Sequence, residues 1–98
     1  MEKLFVYGTL REPEVQKKVI GRVAAGTEDT LDDYGLSEIV IEGEKFPAAI
    51  PKIGESIAGQ VIKITPEELK LIDDYETEAY KRVKATLKSK IIAWVFEL

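Results

Sequence analysis

The pattern of apolar and polar positions predicts a strand at the start of the chain and a short helix after it. Residues 4–7 form a continuous apolar run, which is typical of a strand covered on both faces. A helix is expected from Pro13, which suits the first helical turn. Val15 and Val19 would share one face of this helix, and Gly21 would end it.

The middle of the chain predicts strands separated by turns. The expected segments are, in order, an extended stretch over residues 22–31, a turn at 32–35, a strand over 36–41, a turn at 42–44, a segment at 46–51, a loop at 52–55 and a strand over 57–64. Pro47 and Pro51 lack the amide hydrogen that a sheet ladder needs, so they fit a sheet edge or a strand end. Gly59 permits a bulge or a close approach of two backbones.

A second helix carries the clearest local signal. Thr65 can cap it, Pro66 suits its first position and Glu68 completes a capping box. The helix is expected to end near Tyr75 or Glu76, and the residues predicted for its apolar face are Leu69, Leu71, Ile72 and Tyr75.

The last part of the chain predicts two more strands. Residues 80–87 alternate, with Lys81, Val83, Ala85 and Leu87 on one face, and a turn at 88–90 leads to a final apolar strand over 91–96. Strands without regular intervening helices favour a barrel over a doubly wound sheet. We therefore expect an α+β fold, a small mixed or antiparallel β-barrel with flanking helices, in which residues 1–98 form a single domain.

Composition and charge exclude several classes of function. The chain has 98 residues, 45% of them hydrophobic and 33% charged, a globular profile with a net charge of -4. Because lysine and arginine form no stripe, nucleic acid is not an expected partner. The apolar runs are too short to span a membrane and no signal peptide is recognisable, so a cytoplasmic monomer or weak homodimer is expected.

The absence of cysteine and histidine restricts the chemistry further. It removes disulfides, thiolate nucleophiles, imidazole acid–base catalysis and the usual zinc ligands. We expect no cofactor and no metal. Asp73, Asp74, Glu76 and Glu78 do not predict a metal site, because helical spacing spreads them around the axis. Any catalysis must use carboxylates, lysine, tyrosine, hydroxyls or backbone amides.

Glu76 is the carboxylate whose position the second helix does not explain. It lies four residues after Ile72 and seven after Leu69, so it projects from the edge of the apolar face. A carboxylate beside a core either finds a partner or has its pKa raised, which makes it a better base at neutral pH. The alternative is that Glu76 lies beyond the helix end and pairs with Arg82 or Lys81.

Tyr7, Gly8, Thr9 and Leu10 connect the first strand to the first helix. Glycine lets successive N–H groups turn to one side, and a helix start adds free donors. Such a loop could hold a carboxylate or a developing oxyanion. An ordinary glycine turn is the alternative interpretation.

Five segments of the chain resemble the γ-glutamylcyclotransferase-like superfamily, in particular its γ-glutamylamine cyclotransferase branch. They are residues 4–11, Leu-Phe-Val-Tyr-Gly-Thr-Leu-Arg; Tyr34-Gly35; residues 46–50, Phe-Pro-Ala-Ala-Ile; Gly59-Gln60-Val61; and residues 72–76, Ile-Asp-Asp-Tyr-Glu, followed by Tyr80 and Arg82. The resemblance covers most of the chain. One departure is Thr77, since glycine often follows the glutamate in this family.

The resemblance implies a small β-barrel with a pocket at one end and a reaction in which a γ-glutamyl amine or γ-glutamyl amino acid cyclises to 5-oxoproline and releases the amine or amino acid. Glu76 matches the general base of the family, and the backbone of Tyr7, Gly8, Thr9 and Leu10 matches its substrate-binding loop. Tyr80 is a candidate for the pocket wall or a hydroxyl donor.

Other interpretations stay open at this stage. Arg82 could orient Glu76 or bind a substrate carboxylate, although its alternating strand is also typical of a solvated face. A non-catalytic module that binds a γ-glutamyl or carboxylate ligand would use the same pocket. A structural or interaction protein would instead have a filled pocket and an exposed apolar edge, for instance around residues 46–50.

Overall fold

A computed structural model describes all 98 residues of the chain. Its elements, in chain order, are β1 (Glu2–Val6), a 3-10 helix (Thr9–Arg11), α1 (Pro13–Ile20), β2 (Gly26–Ile41), β3 (Glu44–Ile64), α2 (Pro66–Glu76), β4 (Lys81–Thr86) and β5 (Ile92–Glu97). No helix is both long and apolar enough to cross a lipid bilayer.

The five strands form one curled sheet in the order β2-β3-β1-β5-β4. β1 is antiparallel to β3 and parallel to β5, and β4 is antiparallel to β5. An additional pairing of Ala49 in β3 with Glu97 in β5 brings the sheet partly around on itself. The result is a half-barrel with two helices, which confirms the expected α+β class.

Two apolar clusters stabilise this arrangement. One lies where the helices pack on the sheet and includes Leu4, Ile62, Leu69 and Ile72. The other contains no helix residue and is built from strand residues, among them Phe5, Leu31 and Val95, together with Tyr7 and Leu87, which directly follow β1 and β4. Because Leu4 and Phe5 are neighbours in a strand, they point to opposite faces, and β1 is therefore buried on both, as its apolar run predicts.

The predicted helix signals are confirmed. Thr65 accepts a hydrogen bond from the Glu68 amide at 3.1 Å, and Glu68 accepts one from the Thr65 amide at 2.9 Å. Arg22 also binds the Glu68 carboxylate, at 2.7 Å, and this contact lowers the pKa of Glu68 to about 2. Arg22, which follows α1, and Thr65, which precedes α2, are thus both bound to Glu68 in the first turn of α2.

The apolar face of α2 is narrower than predicted. Leu69 and Ile72 are buried, but Leu71 and Tyr75 are 48% and 40% exposed. The row formed by Leu69 and Ile72 is the part of the helix that joins the apolar cluster. The expectation that Leu71 and Tyr75 belong to the buried face is wrong.

The long strands correct the expected turn at 32–35 and loop at 52–55. β2 and β3 run continuously past this region, but their register shifts between Asp32 and Tyr34. Asp32 pairs with Ser56 and Tyr34 with Pro51, so residues 52–55 bulge outward. Asp33 has φ of 62° and accepts a hydrogen bond from the Gly54 amide at 3.1 Å. The turn signals in the sequence mark a bulge that bends the two strands.

Glycine 59 lies where two backbones meet. A Cβ at this position would come within 2.5 Å of the Val6 carbonyl oxygen and 2.7 Å of the Phe5 ring. β1 and β3 approach each other here through Phe5 and Val61 and through Val6 and Gln60. The predicted close approach at Gly59 is confirmed, and it fixes the end of β1 from which the next loop departs.

Candidate active site

The loop of residues 7–10 leaves β1 at the open end of the half-barrel. Gly8 caps the 3-10 helix, and a Cβ on it would lie 3.3 Å from Pro47 Cγ. The turn and loop hydrogen bonds use the carbonyls of Gly8 and Thr9 as acceptors but none of the N–H groups of Gly8, Thr9 and Leu10. These N–H groups are available to an anionic ligand group.

Both ends of this loop are anchored by buried hydrogen bonds. The Tyr7 hydroxyl donates to the Phe96 carbonyl and accepts from the Ala49 amide, so it joins β5 to β3. At the other end, Gln16 Nε2 donates to the Leu10 carbonyl at 2.8 Å, and Gln16 Oε1 accepts from the Ala24 amide at 2.9 Å. The backbone of the loop is therefore held from two sides.

Gln16 is a residue that the sequence reasoning missed. It is only 2% exposed, although it is polar and lies in a short surface helix. The available signal is its spacing: Val19 and Ile20 follow it by three and four residues, which places Gln16 on the apolar side of α1.

Glu76 ends α2 and points into a cavity. Burial raises the pKa of its carboxyl group from 4.5 to about 7. The alternative that Glu76 pairs with Arg82 or Lys81 is wrong. Arg82 binds Asp73 at 2.8 Å and Lys81 lies 3.6 Å from Glu97. No cation stabilises the charged form of Glu76, so desolvation of the carboxylate raises its pKa without an opposing effect.

The cavity has a volume of about 180 Å³ and is mostly apolar. Six of the seven residues predicted for the site line it, namely Tyr7, Gly8, Thr9, Leu10, Glu76 and Tyr80. The remaining lining residues are Phe5, Val6, Ile41, Phe46, Pro47, Tyr75, Thr77 and Phe96. Glu76 is the one ionisable carboxylate among them, and no lysine or arginine is present. The structure thus brings the loop and Glu76 to one cavity.

Arg82 does not line this cavity. Its guanidinium makes two hydrogen bonds to Asp73, at 2.8 and 3.0 Å, and lies 4.2 Å from the centre of the Trp94 ring. The side chain lies on the face of β4 that meets Asp73 of α2 and Trp94 of β5. Arg82 therefore neither binds Glu76 nor reaches a ligand in the cavity.

The hydroxyls of Tyr7 and Tyr80 are hydrogen-bonded and stay protonated. Tyr80 donates to the Pro47 carbonyl at 2.8 Å, and burial, with a smaller contribution from Glu76, raises its pKa to about 12. Burial likewise raises the pKa of Tyr7 well above its usual range. Since neither phenol can act as a base near neutral pH, Glu76 is the group of the cavity that can exchange a proton there.

The backbone is unusual directly after Glu76. Thr77 has φ of 62° and ψ of -172°, a combination that is essentially confined to glycine. Its amide still bonds to the Asp73 carbonyl at 3.0 Å, so the helix ends there and the chain turns away. No group of three or more Asp or Glu side chains in the structure could hold a metal ion.

The chain belongs to the gamma-glutamyl cyclotransferase, AIG2-like family, whose model matches residues 4–98. It is similar to AIG2-like protein D of Arabidopsis thaliana, with 32% identity over 84% of this chain and 53% of the relative. AIG2-like protein C of the same plant is 36% identical over 81% of this chain and 45% of the relative. The chain spans about half the length of the curated relatives it matches.

A solved structure has the same fold. One described as a gamma-glutamyl cyclotransferase superposes with a TM-score of 0.80 at 16% identity, covering 99% of this chain and 66% of its own. The fold that the sequence resemblance implies is thereby confirmed.

Proposed function

We propose that this protein is a cyclotransferase that converts a γ-glutamyl amine to 5-oxoproline and the free amine, with Glu76 as general acid and base. The observation that carries this proposal is a buried carboxylate without a cation partner, in the same cavity as a loop with free N–H groups. Because the loop leaves β1 while Phe96 of β5 lines the same cavity, we propose that residues 1–98 act as one domain.

The reaction needs no covalent enzyme intermediate. The α-amino nitrogen of the γ-glutamyl group attacks its own γ-carbonyl carbon and closes a five-membered ring, and Glu76 takes the proton that this nitrogen loses. The N–H groups of residues 8–10 stabilise the oxyanion. When the carbon–nitrogen bond to the amine breaks, Glu76 returns the proton to the departing nitrogen. One carboxylate and one amide-rich loop are sufficient.

The pKa of Glu76 suits both proton transfers. A carboxylate with a pKa of about 7 is partly ionised at neutral pH and is a stronger base than a solvated glutamate. Holding the substrate in the conformer that cyclises would contribute much of the rate, up to about 7–11 kcal/mol in well-oriented intramolecular reactions.

The cavity lining favours an apolar leaving amine. Ile41, Phe46 and Pro47 of the β2–β3 hairpin form one wall, and no cation is present to pair with a carboxylate next to the departing nitrogen. A γ-glutamyl α-amino acid carries such a carboxylate, and burying it beside Glu76 would be costly. We infer that γ-glutamyl alkylamines are preferred over γ-glutamyl α-amino acids.

The test is detection of 5-oxoproline by mass spectrometry with a matched pair of substrates. γ-Glutamylbutylamine and γ-glutamylnorvaline differ in one carboxylate, and we expect kcat/KM to be at least about tenfold higher for the amine. Glu76→Gln should abolish turnover and keep ligand binding. Asp74→Asn, which removes an exposed carboxylate from the same helix end, should remain active.

Three outcomes would contradict this proposal. Wild-type activity in Glu76→Gln would remove Glu76 from the mechanism. Equal rates with both substrates would contradict the inference about the leaving amine. Ligand binding without any product, from either substrate, would favour a binding module instead of an enzyme.

A further inference from the structure

The hydroxyl groups of Thr9 and Tyr75 form a hydrogen bond of 2.9 Å between residues 66 positions apart in the chain. Thr9 belongs to the loop of residues 7–10, and Tyr75 directly precedes Glu76 in the last turn of α2. Both residues line the cavity. The bond therefore connects the proposed oxyanion-binding loop to the helical turn that carries the proposed base.

No other side-chain hydrogen bond makes this connection. Tyr7 ties the loop to β3 and β5, and Gln16 ties it to α1. At the end of α2, Asp73 is bound to Arg82 in β4. These hydrogen bonds fix the loop and the helix end to different parts of the fold. Leu10 packs in the same apolar cluster as Leu69 and Ile72 of α2, and Thr9–Tyr75 is the side-chain hydrogen bond that links the loop to the last turn of the helix.

Packing covers the Tyr75 ring only in part. The side chain is 40% exposed, and Leu71, one turn earlier on the same face of α2, is 48% exposed. Because the residue is only partly buried, the hydrogen bond of its hydroxyl contributes to fixing its orientation.

We propose that Thr9 and Tyr75 form a positioning pair, which sets the loop of residues 7–10 at the distance from Glu76 that cyclisation requires. This inference rests on the proposed function. The attacking nitrogen must contact Glu76 while the γ-carbonyl oxygen contacts the amides of the loop. A change in the distance between Glu76 and the loop therefore lowers the rate, even when Glu76 and the loop amides are themselves unchanged.

The experiment is a double-mutant cycle with Tyr75→Phe and Thr9→Val, each of which removes one hydroxyl. We expect each variant to lower kcat/KM for γ-glutamylbutylamine by roughly 3- to 10-fold, mainly through kcat, and the double variant to be no worse than either single one. Thr9→Ser keeps a hydroxyl and should restore most of the rate. Thr86→Val, at an exposed position of β4, is the matched control and should leave the rate unchanged.

A second measurement separates this pair from the catalytic proposal. Amide hydrogen exchange at Arg11 and Glu12, whose N–H groups donate to the Gly8 and Thr9 carbonyls of the loop, should be faster in Tyr75→Phe than in the wild type, whether or not the protein is active. Unchanged exchange, or rate losses that multiply in the double variant, would overturn the positioning pair. Absence of 5-oxoproline with wild-type protein, together with faster exchange in Tyr75→Phe, would refute the proposed reaction and retain the structural link.

Discussion

Replacing Glu76 by glutamine should stabilise the folded protein at alkaline pH. The carboxyl group has a pKa of about 7 in the folded state because burial disfavours its charged form. In the unfolded chain it returns to its ordinary value of 4.5. Glutamine has nearly the same shape and is never charged, so Glu76→Gln removes this cost of desolvation and little else.

The sign of the effect follows from proton binding. Between about pH 4.5 and 7 the folded protein holds a proton on Glu76 that the unfolded chain has lost. The free energy of unfolding of the wild type therefore falls as the pH rises through this window, and the loss is complete above it. A shift of this size corresponds to about 3–4 kcal/mol, a large part of the stability of a domain of this length.

Urea denaturation of both proteins between pH 4.5 and 8.5 measures the difference. We expect coincident curves near pH 4.5 and a midpoint about 2 M higher for Glu76→Gln at pH 8, since m is about 1–2 kcal/mol/M for a small domain. Asp74→Asn is the control for the loss of one negative charge at the same helix end. A gain that is independent of pH, or that the control reproduces, would refute the argument that burial of Glu76 is the cause.

Four further results are expected. In the wild type, kcat/KM should rise with pH and level off above about pH 7, because the ionised form of Glu76 is the proposed base; a rate that is flat between pH 5 and 8 would contradict this. Gly8→Val should raise KM and lower kcat together, since its side chain would press on Pro47; normal kinetics would remove the loop from the mechanism. Thr77→Gly should raise the free energy of unfolding by about 1 kcal/mol and keep activity, because it relieves the positive φ; a loss of stability would show that the Thr77 side chain matters more than the strain. Gln16→Leu should destabilise the protein by about 2–3 kcal/mol in denaturation experiments, because it leaves two buried backbone groups unpaired; an unchanged midpoint would contradict that accounting.

The fold was predictable wherever a local rule acts without competition. The capping box of Thr65 and Glu68 and the alternation of β4 depend on neighbours in the sequence, and both are present as predicted. The bend of β2 and β3 was not predictable in the same way. Asp33 and Gly54 carry ordinary turn signals, and only the pairing of two long strands decides that these signals produce a bulge instead of a chain reversal.

The candidate site likewise contains some features that the local sequence predicts and others that depend on contacts between distant segments. The position of Glu76 at the edge of a helical face and the glycine in the loop of residues 7–10 are visible in the sequence. The wall formed by Ile41 and Phe46, the anchor Gln16 and the bond between Thr9 and Tyr75 join segments that are distant in the chain. Their contributions arise only when the hairpin, α1 and α2 meet at the end of β1.

The partner of Arg82 explains why a chain without histidine can present a base with a pKa near neutrality. A guanidinium bound to Glu76 would have stabilised the carboxylate and lowered its pKa below 4.5, as Arg22 does for Glu68. Asp73 binds both branches of the Arg82 guanidinium instead, and the Trp94 ring covers its face. The nearest arginine in the sequence is thereby kept out of the cavity, and burial alone sets the proton affinity of Glu76. Asp73 thus binds the Arg82 guanidinium, which would lower the pKa of Glu76 if it bound that carboxylate instead.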